Sequence, residues 1–178
     1  MKKISVEINN EWIDYSHKPE FEEQTNRLII GLPNDSISII TGLINLISEP
    51  ISILYVLHTP RGEAKEGRYQ SQYLSKNDII NFIEQYSEFL VSDSRFDIWF
   101  HSETDNSTIV WDRHNMVFTY GDVSVYEKFL LKNGFTSGKP GMKFSHQHHY
   151  YSEFDNNAKE IFNELNWSYS PLKKEDIQ

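Results

Sequence analysis

The sequence predicts an α+β fold, a mixed, mostly antiparallel sheet with helices packed against it. Three patterns point there. Short alternating or β-branched runs recur along the chain, apolar residues at helical spacing separate several of them, and three strand-like runs follow one another as a meander between residues 96 and 120. The order reads hairpin, strand, helix, strand, helix, meander, helix, then a β-like segment and a last helix.

Ile4, Val6 and Ile8 alternate with polar residues, Asn9-Asn10 supplies a turn, and Trp12-Ile13 resumes an extended run. Residues 16–26 are polar and read as loop. Leu28-Ile29-Ile30, closed by Gly31 and Pro33, reads as a strand. Asp35 or Ser36 can cap a helix whose Ile37, Ile40, Ile44 and Ile47 share one stripe. Ile39, Leu43 and Leu46 make that helix apolar nearly all round, so it is expected to be buried and to end at Glu49-Pro50. Ile51 to Leu57 is apolar on both parities, the pattern of a central strand covered on both faces.

Residues 59–74 show no periodicity. Ser75-Lys76-Asn77-Asp78 is a capping-box start, and Ile79, Ile83, Tyr86 and Leu90 follow on one helical stripe. The meander runs through 96–101, 107–112 and 115–120, with a tight turn near Arg113-His114. Asp122 caps a helix carrying Val123, Tyr126, Phe129 and Leu130 that stops at Asn133-Gly134. After a Gly/Pro/Ser loop over 135–141, Ser152 to Asp155 opens the last helix, with Phe154, Ala158, Ile161 and Leu165 inward. Lys173-Lys174-Glu175-Asp176 is expected to fray. The 178 residues are read as one domain: hairpin and loop over 1–26, the α+β core over 27–167 and a tail over 168–178.

Composition narrows the functional classes. With 17 basic and 26 acidic side chains the net charge is −9, against a nucleic-acid binder, which needs a basic face. No apolar run approaches the length of a membrane span, and the polar helix faces are acidic, against anionic membranes. Zero cysteines exclude disulfides, zinc-thiolate sites and a cysteine nucleophile. Together with the charged start Met1-Lys2-Lys3 this favours a cytoplasmic protein. The sequence contains no G-x-S-x-G, Walker loop, G-x-G-x-x-G or H-E-x-x-H motif.

Three clusters carry chemistry. A strand–helix–strand unit over 51–101 makes its two strands parallel, so His58 and His101 are expected at one sheet end. Arg61 and Arg68 lie in the long loop that follows His58. The four could line one ligand pocket, the arginines holding an anion and a histidine exchanging a proton. The plainer reading has the arginines as partners of Glu63, Glu66 or surface carboxylates and the histidines as polar strand ends. Trp111-Asp112-Arg113-His114-Asn115 has residue types suited to acid–base work, yet reads as a turn on the far side from His58 and His101. In His146-Gln147-His148-His149-Tyr150-Tyr151, an extended backbone puts His146 and His148 on one face. Two imidazoles so placed can ligate a divalent metal, with Glu153 or Asp155 as a third donor. The bland alternative is an aromatic strand whose histidines pack. Beyond this possible metal no cofactor is expected.

The strings His58-Thr59-Pro60-Arg61-Gly62-Glu63, Gly67-Arg68-Tyr69-Gln70-Ser71, Trp111-Asp112-Arg113-His114-Asn115 and His148-His149-Tyr150 resemble segments of a group of small bacterial proteins of unknown function, over about residues 51–167. The N-terminal part is more individual. The resemblance implies no activity at any residue. In size and acidity the chain is also similar in type to immunity proteins that neutralise bacterial toxins.

With no catalytic motif complete, the reading favours a non-catalytic acidic binding protein whose partner is a basic protein such as a toxin. The alternatives are a small enzyme or anion-binding protein using His58, Arg61, Arg68 and His101, a metal site at His146 and His148, or an accessory protein with a homomeric interface. The sequence specifies no oligomeric state.

Overall fold

A computed structural model describes residues 1–142 and 144–176; residues 143, 177 and 178 lie outside the described residues. The described residues form twelve strands in two sheets. The small sheet pairs β1 (Ile4–Ile8) with β2 (Glu11–Asp14) and with β11 (His146–His148), all antiparallel. Asn9 and Asn10 both take positive φ, 54° and 64°, which a two-residue hairpin turn requires and asparagine tolerates.

The large sheet holds β3 (Glu20–Gln24), β4 (Arg27–Gly31), β5 (Ile51–Leu57), β6 (Gly67–Gln70), β7 (Phe96–Ser102), β8 (Ser107–Trp111), β9 (Met116–Tyr120), β10 (Thr136–Ser137) and β12 (Ser168–Ser170). Its spatial order is β10-β3-β4-β9-β8-β7-β5-β6-β12, and only the β10–β3 pair is parallel. Among the described residues five α-helices complete the α+β fold: α1 (Ile37–Ile44), α2 (Lys76–Gln85), α3 (Ser87–Ser92), α4 (Val123–Lys132) and α5 (Asp155–Glu164). Helix α2 begins in the expected capping box. Ser75 Oγ accepts from the Asp78 amide, and the Asp78 carboxylate accepts from the Ser75 amide. Helix α1 stops at Ile44, before the residues that were expected to extend it to Pro50.

Register explains the layering. Phe21, Ile30, Val117, Trp111, Ile98, Tyr55 and Tyr69 sit opposite one another strand by strand and are all buried. Residues of all five helices join them in one core, including Ile40, Ile83, Leu90, Leu130 and Ile161, each fully buried. The next residue on each strand points to the other face by the period-two rule. Ile29, Phe118, Val110, Trp99, Leu54 and Gln70 therefore form a second row on the face away from the helices.

Several segments depart from the sequence expectation. Residues 20–24, expected as loop, form β3, and the unpatterned stretch 59–74 contains β6. Residues 136–137 of the Gly/Pro/Ser loop pair with β3. The tail does not fray over its described part: β12 pairs with β6, and a 3-10 turn over Lys174–Asp176 buries the Asp176 side chain beside Arg68.

Candidate functional site

Strand β6 decides where the histidines go. Because the chain returns along β6 before entering α2, the helices carry it back to the end of β5, and β7 runs antiparallel to β5 rather than parallel. Ser52 faces His101, whereas Leu57, next to His58, faces Phe96. At 3.3 Å per residue the two histidines are about 20 Å apart along the sheet. The single pocket expected of His58, Arg61, Arg68 and His101 is not formed.

Each of the four has an internal partner. His58 Nε2 lies 2.8 Å from Asp97 Oδ2, and His101 Nδ1 lies 2.9 Å from Thr108 Oγ1. Arg61 donates to Asp155, 3.0 Å away. Arg68 pairs with Asp176 and stacks 5.6 Å over the Trp99 ring. Both guanidinium groups are thus already matched by carboxylates, so no free pair of cations remains to recruit an anion.

The same reversal moves the β8–β9 turn. Residues 112–115 lie at the His58 end of the sheet, not on the far side from it: the Arg113 amide donates to Asp97 Oδ1 over 2.8 Å. As expected of a turn, Asp112 Oδ1 accepts from the amides of His114 and Met116. Asn115 takes φ 59° and receives the Trp111 indole N–H.

Two neighbouring features emerge here. The first is a hollow of ≈ 340 Å³ on the helix-free face of the sheet. Trp99, Phe118 and Tyr120 supply its aromatic surface, while Asp97, Asp112 and Glu175 bring carboxylates to it. Arg27 lies 5.6 Å over Phe118 and donates to the Tyr120 hydroxyl. Trp99 Nε1 is buried without a hydrogen-bond partner among the described residues. Strands of opposite parity place these rings: their in-between neighbours Ile98, Val117 and Thr119 face the helices.

The second is a triad of imidazoles. His146 and His148 project from the same face of β11, as the alternation predicts, and His114 reaches them from the β8–β9 turn. Ring centroids are separated by 5.1 Å (His114–His146), 4.8 Å (His114–His148) and 5.2 Å (His146–His148). One ring nitrogen from each lies within 4.8 Å of the others. His114 Nδ1 donates to Asp112 Oδ2 at 3.1 Å, and His146 Nδ1 donates to the Phe144 carbonyl at 3.3 Å, so in the neutral tautomer these contacts select, the acceptor nitrogen of each ring is Nε2. His17 Nε2 donates to the His114 carbonyl and braces the turn from behind. Burial, and then the neighbouring His114, Arg113 and His146, push the His148 pKa down to about 3, so that ring is neutral.

Glu153 and Asp155, expected as third donors, are not in this group. Asp155 is held by Arg61 and Arg95, and Glu153 is exposed and bonded to Ser152. His114 takes that position. It was visible as a histidine two residues after an aspartate in a turn, but nothing local joins it to a strand more than thirty residues later.

No protein-family model, curated protein or solved structure matches the chain. No helix among the described residues is long and apolar enough to cross a membrane.

Proposed function

We propose that the chain is a non-catalytic acidic binding protein that engages a basic protein partner, a bacterial toxin being the partner class it suits best. The observation that carries this reading is the hollow on the helix-free face, an aromatic surface rimmed by carboxylates. Lysine and arginine side chains bind such surfaces twice over, by cation–π contact and by charge pairing. The face already holds planar cations of its own, Arg27 over Phe118 and Arg68 over Trp99. Its aromatic residues are of the kind that anchor interfaces. A net charge of −9 adds long-range steering toward a basic partner.

The test uses the untagged protein and the product of the adjacent gene. Native mass spectrometry of the protein purified from its own host, followed by reconstitution from purified components, should give a discrete complex. Its association rate should fall steeply with ionic strength. Trp99→Ala combined with Asp97→Asn should weaken binding by at least tenfold while circular dichroism stays native. A complex insensitive to both substitutions, or no protein complex at all, would overturn the reading.

A further inference from the structure

We infer that His114, His146 and His148 form a binding site for one divalent transition-metal ion, zinc in the first instance, with a fourth position open to solvent. The site adjoins the hollow proposed for the partner, with Asp112 and Phe118 common to their surroundings, and joins two parts of the chain that share no sheet. His146 and His148 belong to the small sheet, and His114 to a turn of the large one.

The donor set is purely nitrogen. Imidazole suits zinc, nickel, copper and cobalt, whereas calcium and magnesium demand oxygen ligands. The geometry is close to a closed triangle, with the three centroid separations agreeing within half an ångström. Tetrahedral zinc with bonds of 2.0–2.1 Å needs donor nitrogens about 3.4 Å apart. From donors that lie within 4.8 Å of one another, side-chain rotation of about 1 Å suffices.

Two further features fit a metal better than packed aromatics. Asp112 holds His114 through Nδ1, and a carbonyl holds His146 in the same manner. These are the outer contacts that orient ligating histidines and fix their tautomers. His148 has a buried Nδ1 with no hydrogen-bond partner among the described residues. Mutual packing of three imidazoles leaves that polar atom's cost uncompensated, while ligation through Nδ1 would satisfy it.

The triad borders a hollow of ≈ 470 Å³ shared with Arg113, Met116, Phe118 and Met142. Three protein ligands with an open fourth position are the arrangement of exchangeable and catalytic zinc sites, and Arg113 at the rim favours an anionic fourth ligand. With all three histidines engaged, the ion would also staple β11 to the β8–β9 turn.

Equilibrium dialysis of the untagged full chain against zinc, with cobalt(II) as the spectroscopic probe, tests the site. One equivalent of zinc per chain is expected, with visible d–d absorption of four-coordinate strength on cobalt loading and a rise in Tm. His114→Gln, His146→Gln and His148→Gln should each lower the affinity at least tenfold, and Asp112→Asn should lower it by a smaller factor. His146→Gln lies on a partly exposed strand and is the variant least exposed to folding losses. Zinc uptake below one equivalent at millimolar metal would overturn the proposal, as would affinity unchanged in His146→Gln and His114→Gln. Absence of any partner complex with zinc uptake intact would refute only the proposed function, and a partner complex without zinc uptake only this site.

Discussion

Arg95 and Asp93 grip each other through two parallel hydrogen bonds, Nε to Oδ1 and Nη2 to Oδ2, each 2.9 Å long, with both side chains fully excluded from solvent. Around this fork Arg95 also donates to Glu63, to Asp155 and to the Tyr151 carbonyl, while Asp93 Oδ2 accepts from the Tyr151 amide. One buried guanidinium thereby ties the start of β7 to the loop after β5 and to the entry of α5. Burial works against its charge, but the hydrogen bonds and charges of Asp93 and Glu63 outweigh it and raise the pKa.

Removing that cation leaves buried carboxylates unpaired. Arg95→Met is expected to destabilise the protein by about 3–5 kcal/mol. Urea denaturation measures it, and a loss under 1 kcal/mol would show that the network contributes little.

Lys3 gives a pH signature. Its side chain is fully buried, with Nζ donating to the Asp112 carbonyl and lying 4.3 Å from the Trp111 ring centre. Burial lowers its pKa to about 8, against the opposing pull of Asp112, Asp97 and Asp93. Below pH 8 both folded and unfolded lysine are protonated, so the burial penalty is fully present and constant. Between about 8 and 10.5 the unfolded state binds more protons, so stability rises with pH, by about 3 kcal/mol over the window. Lys3→Met should remove this rise. Comparing the two proteins at pH 7 and 9.5 cancels the titration of other groups, and parallel curves would contradict the assignment.

Arg68→Met should free the C-terminal segment. The Arg68–Asp176 pair is nearly buried, and β12 is held besides by three paired residues against β6 and by the Tyr169 ring against Tyr69. A local loss of about 1.5–3 kcal/mol is expected from one charged hydrogen bond. Amide exchange confined to residues 168–176 would report it, whereas unaltered protection there would refute it.

Ser75→Ala breaks the capping box of α2 and should cost about 1 kcal/mol. Thermal unfolding measures this, and Ser75→Asn should restore most of the loss.

Period-two and period-3.6 patterns are local, and most of the strong ones survived into the structure, although α1 stops at Ile44 and the stripe from Ile79 to Leu90 is divided between α2 and α3. Ile51–Leu57, the meander, the Ser75 box and the Asn133-Gly134 stop all appear as read. The missed strands share a cause. Glu20–Gln24 has one inward apolar residue, Phe21, and Gly67–Gln70 has only Tyr69, so neither carries an alternation to detect. Their strand state comes from neighbours that offer unpaired backbone groups.

The candidate site was legible only in part. His146 and His148 on one face follow from residue alternation within β11, which is a property of the backbone itself. That His114 completes them depends on how the chain returns. The undetected β6 inverted the relation of β5 to β7, parting His58 from His101 and bringing the β8–β9 turn to the His58 end. Element type, amphipathic faces, helix caps and the acidic charge are written in neighbouring residues and need no fold to be read. Strand direction and the meeting of His114 with His146 and His148 arise from long-range pairing, because hydrogen bonds between strands join residues whose separation along the chain leaves no local trace.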